Sequence, residues 1–516
     1  MNTTTLTELA GDLAAAGILS SPAPRADVAV TGASCDSRVV SAGELFVCKG
    51  AAFRPAFLAS AVERGAVAYL CDEAHAAELA DVAPGVPALV TSDLRRAMAL
   101  CSARAFGRPD RDLRTVGITG TKGKTTTAYM LRSIVDAACG ARSCGMIGTV
   151  ETYDGVVDEP SRNTTPEAPD LWRNLAHARD SRLSALVMEV SSQALKYDRT
   201  FGVGLDVACF LNIGLDHISP VEHADFEDYF SSKLKIFSQC ETAVVNLDSD
   251  HADRILKAAS RAPRTLTFGI ERPEADAWAD ELVASEEGVS FTLHLDGWER
   301  RVELPFPGSF SASNALAAAL CAHLLGIGPE DIVRGLAATR VPGRMEFYHS
   351  RDRQLTAIVD FAHNRLAFES LLSAVRAAFS GARIIAVFGA VGGKAQERRH
   401  ELPKAAAPFV DYLVFTTDDP WTEDPRDICR EMERALPDGF PHEVIIDREE
   451  AAARAFELAE GRRSVVLLLA KGHETRMHMR DGYVPCLSDG ELARRGIAAH
   501  DRAHSADADT DAPSAR

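Results

Sequence analysis

Residues Gly117 to Thr127, "GITGTKGKTTT", bring together the groups that hold a phosphate: close-set glycines, lysines and a run of hydroxyls. The widespread phosphate loop reads G-x-x-x-x-G-K-[ST]. Counted back from Gly123-Lys124-Thr125, its first glycine would fall where Ile118 stands; the glycines present are Gly117 and Gly120. The stretch lies between an apolar strand, "RTVGIT", and a helical segment, "KTTTAYMLRSIVDAA". Backbone N–H groups and the helix dipole at such a junction favour an anion. Lys124 would then reach the outer phosphates and the Thr125 hydroxyl would ligate Mg²⁺. On spacing alone, a glycine turn that merely caps a helix is an equal reading.

Two further places could serve the same chemistry. The strand "SALVMEVS" ends on Glu189, a carboxylate suitably placed for magnesium if it is not simply an exposed edge residue. The strand "DVACFLNI" is followed by Asp216-His217, just past the carboxyl end where ligand residues gather in parallel sheets. Beyond them, "VEHADFEDYFSSKLKIF" places Lys233 and Lys235 at the opening of an expected helix, where lysines are ordinarily solvated.

The elements that must position these residues recur along the chain. Up to Arg111, "GELFVCKG", "AVAYLCD" and "PALVTS" alternate with helical "AFLASAVERG" and "DLRRAMALCSARAFG", a small α/β domain. From residue 112 the strands are almost continuously apolar, which indicates a sheet buried on both faces. "VSFTLHLDGWERRVELPFPG" alternates instead, with Asp296-Gly297 between its arms, and reads as a hairpin. A third α/β run follows "VPGR", with strands "LTAIVDFAH", "RIIAVFGA", "DYLVFTTD", "HEVIID" and "SVVLLLAKG". The expected domains are 1–111, 112–340 and 341–498, with a disordered tail over 499–516.

Bulk properties narrow the function. A net charge of −18 argues against a nucleic-acid-binding surface, while leaving room for a local phosphate pocket. The eleven cysteines include no C-x-x-C pair, so they point to reduced cytosolic thiols rather than zinc or disulfides. No stretch has the length of a membrane span, and the N-terminus has no signal-peptide pattern. A cytoplasmic protein without membrane attachment is expected.

With these motifs in order, the chain resembles the Mur ligase family, in its UDP-N-acetylmuramoyl-tripeptide synthetase branch. The family's shorter loop G-T-x-G-K-[ST] matches Gly120 to Thr125, which accounts for the missing glycine. E-V-S-S matches Glu189 to Ser192, and D-H followed by Tyr-x-x-x-Lys matches Asp216-His217 and Tyr229 to Lys233. "SNALAAA", "VPGRMEF" and "DFAHN" follow. The resemblance implies an ATP site of Gly120, Thr121, Lys122, Gly123, Lys124, Thr125, Thr126, Asn314, Arg344, Asp360 and His363. It implies catalytic roles for Lys124, Glu189, His217 and Lys233, the last carbamylated by CO₂. It places Mg²⁺, two ions in all, at Thr125, Glu189, His217 and Lys233. It assigns the UDP-muramoyl dipeptide to Ser37, Arg38, Asn163, Thr164, Thr165, Ser191 and Arg199, and the incoming amino acid to Arg399, Asp418, Asp419, Trp421 and Glu474.

The implied fold is three-domain α/β: a small UDP-binding domain, a P-loop ATPase domain with a mostly parallel sheet, and a Rossmann-like C-terminal domain. The implied reaction uses ATP to turn the dipeptide's carboxylate into an acyl phosphate, which an amino acid's amine then attacks. A monomer is expected, with the nucleotide-linked dipeptide and a free amino acid as its partners and no nucleic acid. Members that add meso-diaminopimelate carry D-N-P-R, whose arginine pairs with that diacid's distal carboxylate. Here the segment is "DDPW", Asp418 to Trp421, and a tryptophan cannot form a bidentate ion pair. L-lysine or another diamino acid is therefore expected, unless Asp418 only caps a turn and Trp421 only packs. Further departures are Gln193 for histidine, Ser311 for asparagine, Arg365 for proline and Ala470 for glycine. They leave open a divergent paralogue acting on another glutamyl or nucleotide-linked acceptor. A folylpolyglutamate synthase would lack the N-terminal "DSR…GELFV" domain, and a non-catalytic homologue would not keep Lys124, Thr125, Glu189, His217 and Lys233.

Overall fold

A computed structural model describes residues 4–22, 27–50, 52–219, 222–306, 308–393 and 395–508. The chain forms two compact units, Met1–Asp280 with Leu293–Arg300 and Ser313–Ala338, and Glu281–Thr292 with Arg301–Ala312 and Thr339–Arg516.

The first unit opens with a four-stranded parallel sheet whose strands, Gly32–Ser34, Glu44–Val47, Ala68–Asp72 and Ala88–Thr91, lie side by side in chain order. Its second sheet contains the phosphate-loop strand Thr115–Thr119, all five residues of which are buried. That strand runs parallel to Ala185–Glu189 on one side and to Leu205–Phe210 on the other. Cys144–Ile147 lies outside Ala185–Glu189, and Cys240–Asn246 and Arg264–Ile270 continue beyond Leu205–Phe210. The chain thus leaves the middle strand toward one flank and later returns to fill the other. That reversal opens a crevice at the carboxyl ends of the three central strands, and ligands of open α/β sheets bind in such a crevice. The hairpin expected around Asp296-Gly297 is present, with strands Gly288–Leu295 and Trp298–Leu304 joined through two residues at φ +48° and +78°.

The second unit holds a six-stranded sheet in the order Glu346–His349, Leu355–Asp360, Ser464–Leu469, Arg383–Phe388, Tyr412–Phe415, His442–Val444. Only Glu346–His349 is antiparallel to its neighbour. Ser464–Leu469 is buried throughout and packs on Ala451, Ala455 and Phe456 of helix Arg448–Leu458. The α/β class and mostly parallel sheets match the sequence expectation.

Two expectations need correction. The segment 499–508, expected to be disordered, continues helix Asp489–Ala508; the last residues, 509–516, lie outside the described residues. Alanine favours helix, and His500 on this helix bonds Glu460 and Asp352, which anchors the segment. Lys233 does not open a helix but sits in the last turn of Phe226–Leu234, and it is buried rather than solvated.

Strand Ser464–Leu469 ends on Ala470, whose φ of +79° lies in the left-handed region that a side chain with a Cβ disfavours. Ala470→Gly should therefore raise the unfolding free energy by about 0.5–1 kcal/mol. Urea denaturation compared with the unsubstituted protein checks this, and a loss of stability would show that the alanine conformation is not strained.

Candidate nucleotide and ligase site

Gly120 and Gly123 take φ of +155° and +86°, and Gly123 caps the N-terminus of helix Lys124–Cys139. A Cβ on Gly123 would collide with the Asn314 side chain, so the glycine lets Asn314, from helix Ser309–Leu324, close on the loop. The loop is held from below by Asn212, just past strand Leu205–Phe210. Asn212 Oδ1 accepts from Lys122 N at 2.9 Å and its Nδ2 donates to Lys122 O at 3.1 Å. Lys124 Nζ donates to Gly120 O at 2.9 Å, while Thr126 lies half-buried on the first turn of the helix.

Behind the loop, Glu189 is fully buried at the end of its strand. Its Oε2 accepts from the hydroxyls of Thr125 at 3.0 Å and Thr149 at 3.1 Å, and its Oε1 accepts from Thr149 N at 2.8 Å. Gly148 leaves room for this, since a Cβ there would come within 2.5 Å of Glu189 Oε1. Magnesium ligands at 2.0–2.1 Å stand about 2.9 Å apart at adjacent octahedral positions. The spacing of Thr125 Oγ1 and Glu189 Oε2 fits this, and both are the hard oxygens that the ion takes. The sequence named Thr125 and Glu189; Thr149, which orients the carboxylate, it missed, since a threonine in a turn carries no local signal.

Lys233 lies on the other side of the loop. Its Nζ donates to Gly120 O at 3.0 Å and stands 4.8 Å from the centre of the Tyr229 ring, with only 2% of the residue exposed. Burial first, then the nearby Lys124 and Lys122 ammonium groups, hold its pKa well below the ordinary lysine value against the opposing pull of Asp216. Burial and its cationic neighbours thus weaken the hold of Lys233 on its proton. Tyr229 braces the loop as well, its hydroxyl 2.9 Å from Thr121 Oγ1. His217, at φ +58°, packs its ring 5.8 Å from that of Tyr229 and points Nδ1 at Glu222, 3.1 Å away. Gln193, where the family has histidine, donates to the same Glu222 oxygen at 3.4 Å. Burial works to raise the Asp216 carboxyl, but Lys122 at 2.9 Å and His217 together bring it below the ordinary range.

The residues expected to grip the dipeptide are strung onto this centre. Thr164 Oγ1 is 3.0 Å from Thr149 Oγ1, and the Thr165 hydroxyl donates to Glu189 O at 2.8 Å. Ser191 N donates to Thr165 Oγ1 at 3.1 Å, while Ser191 Oγ caps the next helix by accepting from Ala194 N. Arg199 donates to Thr165 O at 3.1 Å and pairs with Glu167 at 3.0 Å. Glu167 also pairs with Lys49 at 2.5 Å, which ties the segment to the N-terminal sheet. Asn163 is exposed, and Ser37 is buried. Arg38 is largely exposed and forks onto its own neighbour Asp36 at 2.9 and 2.7 Å.

In the second unit Asp360 is used by the backbone. It accepts from Met345 N at 2.9 Å and Ala362 N at 2.7 Å, which fixes the turn carrying Arg344, and burial raises its pKa. The Arg344 guanidinium lies 4.4 Å over the Phe361 ring, and His363 Nδ1 sits 2.7 Å from Phe361 O.

At the end of strand Ser464–Leu469, fully buried Lys471 donates to Asp419 Oδ1 and Glu474 Oε2, each at 2.7 Å. Asp418 beside them is buried, and that burial, with Asp419 nearby, pushes its pKa up to about 6 in spite of Lys471. Asp419 and Trp421 have φ of +37° and +55°, and the Trp421 ring stacks on His478 with centroids 4.2 Å apart. Arg399, expected to hold a substrate carboxylate, is 2% exposed and spans Glu423 at 2.8 Å and Glu431 at 3.2 Å, so its fork is already filled by internal acids.

Two family models match the chain, the Mur ligase middle domain over residues 118–322 and the Mur ligase, glutamate ligase domain over 343–472. It is 34% identical to a UDP-N-acetylmuramoyl-L-alanyl-D-glutamate--L-lysine ligase of Enterococcus faecalis, over 91% of this chain and 92% of that one. It is 35% identical to a UDP-N-acetylmuramyl-tripeptide synthetase of Bifidobacterium longum, over 91% and 92%. Among solved structures, a UDP-N-acetylmuramoyl-L-alanyl-D-glutamate--2,6-diaminopimelate ligase aligns with TM-score 0.65 and 26% identity, over 97% of this chain and 99% of that one. The phosphate loop, its buried carboxylate and its buried lysine therefore belong to a member of the Mur ligase family, the ATP-dependent ligases that form amide bonds.

Proposed function

We propose that this chain joins L-lysine to UDP-N-acetylmuramoyl-L-alanyl-D-glutamate in the cytoplasm, as a monomer, at the cost of ATP, in peptidoglycan precursor synthesis. The observation that carries the choice of amine is the charge balance at the end of strand Ser464–Leu469. Asp418, Asp419 and Glu474 gather around the ammonium of Lys471. Arg448, which also acts on Asp418, is bonded to Asp489 through two contacts of 2.8 Å. The excess of negative charge suits a cationic side chain and opposes a second carboxylate. Trp421, stacked on His478, offers an aromatic face where the diaminopimelate enzymes carry arginine. The naming of the Enterococcus faecalis relative for L-lysine supports the same choice.

The remaining roles follow from position. Lys124, now resting on Gly120 O, has only to turn from that carbonyl to meet a phosphate. Thr125 and Glu189 would hold magnesium, which offsets the charge of phosphate and incoming carboxylate as they approach. Lys233, whose lowered pKa favours loss of its proton, would in its neutral form add CO₂ and release a further proton to give a carbamate, an anion suited to a second ion. Thr164, Thr165, Ser191 and Arg199 would orient the dipeptide beside Glu189, with Ser37 and Arg38 toward its nucleotide end.

Phosphate release with ATP, the UDP-muramoyl dipeptide and a panel of amino acids tests the reading. Release should require the dipeptide and L-lysine, with kcat/KM for meso-diaminopimelate at least about tenfold lower. A preference for diaminopimelate would sink the assignment of the amine. Trp421→Arg should narrow the gap between the two amines by about tenfold or more, because it restores a partner for the distal carboxylate. Lys233→Ala should lower turnover by about a hundredfold or more while ATP binding persists. In the unsubstituted protein, removal of dissolved CO₂ should slow turnover and bicarbonate should restore it. Turnover indifferent to both would remove the carbamate from the scheme.

A further inference from the structure

Far along the chain from the motifs above, helix Asp489–Ala508 presents His500 and His504 one turn apart, with ring centroids 4.0 Å apart. His500 is buried between two carboxylates that other segments contribute. Its Nε2 lies 3.1 Å from Asp352 Oδ2 and its Nδ1 3.1 Å from Glu460 Oε1. His504 Nε2 is 3.6 Å from Glu460 Oε2. One donor atom from each of Asp352, His500 and His504 falls within 4.8 Å of the others. We propose that Asp352, His500 and His504 form a binding site for a divalent transition-metal ion of the Zn²⁺ class, with Glu460 holding the other ring nitrogen of His500.

Three features go beyond a chance meeting of charges. First, the tautomer of His504 is set: its Nδ1 lies 2.9 Å from the His500 carbonyl, which can only accept, so Nδ1 carries the proton and Nε2 the lone pair. A ring nitrogen fixed on a backbone carbonyl is the usual support of a metal-bound histidine. Second, Asp352 is oriented by its turn, where Oδ1 accepts from Ser350 Oγ at 2.6 Å and Gln354 N at 3.0 Å, while Oδ2 faces His500. Third, the spacing is right. Nitrogen and oxygen ligands at about 2.0–2.1 Å from a tetrahedral ion stand about 3.3 Å from one another. The 3.1 Å between His500 Nε2 and Asp352 Oδ2 fits that value, while Glu460 Oε1, 3.1 Å from His500 Nδ1, holds the other side of the ring. Imidazole with carboxylate is a donor set for zinc, nickel or copper, whereas magnesium and calcium take oxygen alone.

The ligands come from the turn after strand Glu346–His349 and from the C-terminal helix, and Glu460, after helix Arg448–Leu458, supports His500. An ion here would fasten that helix to the edge of its sheet, and it shares no ligand with the phosphate-loop site.

The test uses the full-length chain, stripped of metal with a chelator and kept in excess Mg²⁺ so that oxygen-rich sites are filled. Zn²⁺ is titrated in competition with a chromogenic indicator. We expect one Zn²⁺ per chain, with affinity reduced at least tenfold in His504→Ala and again in Asp352→Asn. His504 is exposed, and an unchanged Tm without metal shows that its variant is folded. Asp352→Asn keeps an oxygen for Ser350 and Gln354. If the unsubstituted chain binds no Zn²⁺, or if both variants bind it with unchanged affinity, the four side chains are an ion-pair cluster only and the proposal falls.

Discussion

The arrangement at the nucleotide site depends on one carboxylate kept out of water. Glu189 is fully buried, and a buried ionised group persists only when its lone pairs are satisfied. Here the donors are the Thr125 hydroxyl from the phosphate-loop helix and the backbone and hydroxyl of Thr149. The same two threonines join the carboxylate to the nucleotide loop on one side and to Thr164 on the other. The group that suits magnesium is thus also the joint between the phosphate loop and the segment carrying Thr164 and Thr165. Removing either hydroxyl would take one of the two donors from Glu189 Oε2, a loss of about 0.5–1.5 kcal/mol.

The sequence made much of this legible because parallel α/β sheets put function at strand ends. Glu189, Asp216 and His217 each follow an apolar run, and the reversal of strand order brings those ends to one crevice. Partners contributed from a distance were not legible. Lys233 looked like a surface lysine in a charged helix, yet it is covered by Tyr229 and the loop 113 residues earlier. Arg399 looked free to meet a substrate, but acids 24 and 32 residues away occupy it. The composition of the tail suggested disorder, and only the contacts of His500 with Asp352 and Glu460 show why its first part stays helical.

The acidic cluster of the second unit shows how three carboxylates can be held close together in a folded chain. Three clustered carboxylates would repel one another, and the rise of Asp418 to about 6 records that strain together with its burial. Lys471 relieves part of it from within, its own pKa raised by Asp418, Glu474 and Asp419 against the effect of burial.

The clasp of Asn212 on the backbone of Lys122 has a kinetic meaning. A two-sided amide grip, with Thr121 N bonded to Asn212 O at 3.0 Å as a third point, fixes the curvature of the phosphate loop in the free protein. The conformational entropy of those residues is surrendered when the chain folds, not when nucleotide arrives. Encounter with ATP then requires little more than the rotation of one lysine side chain.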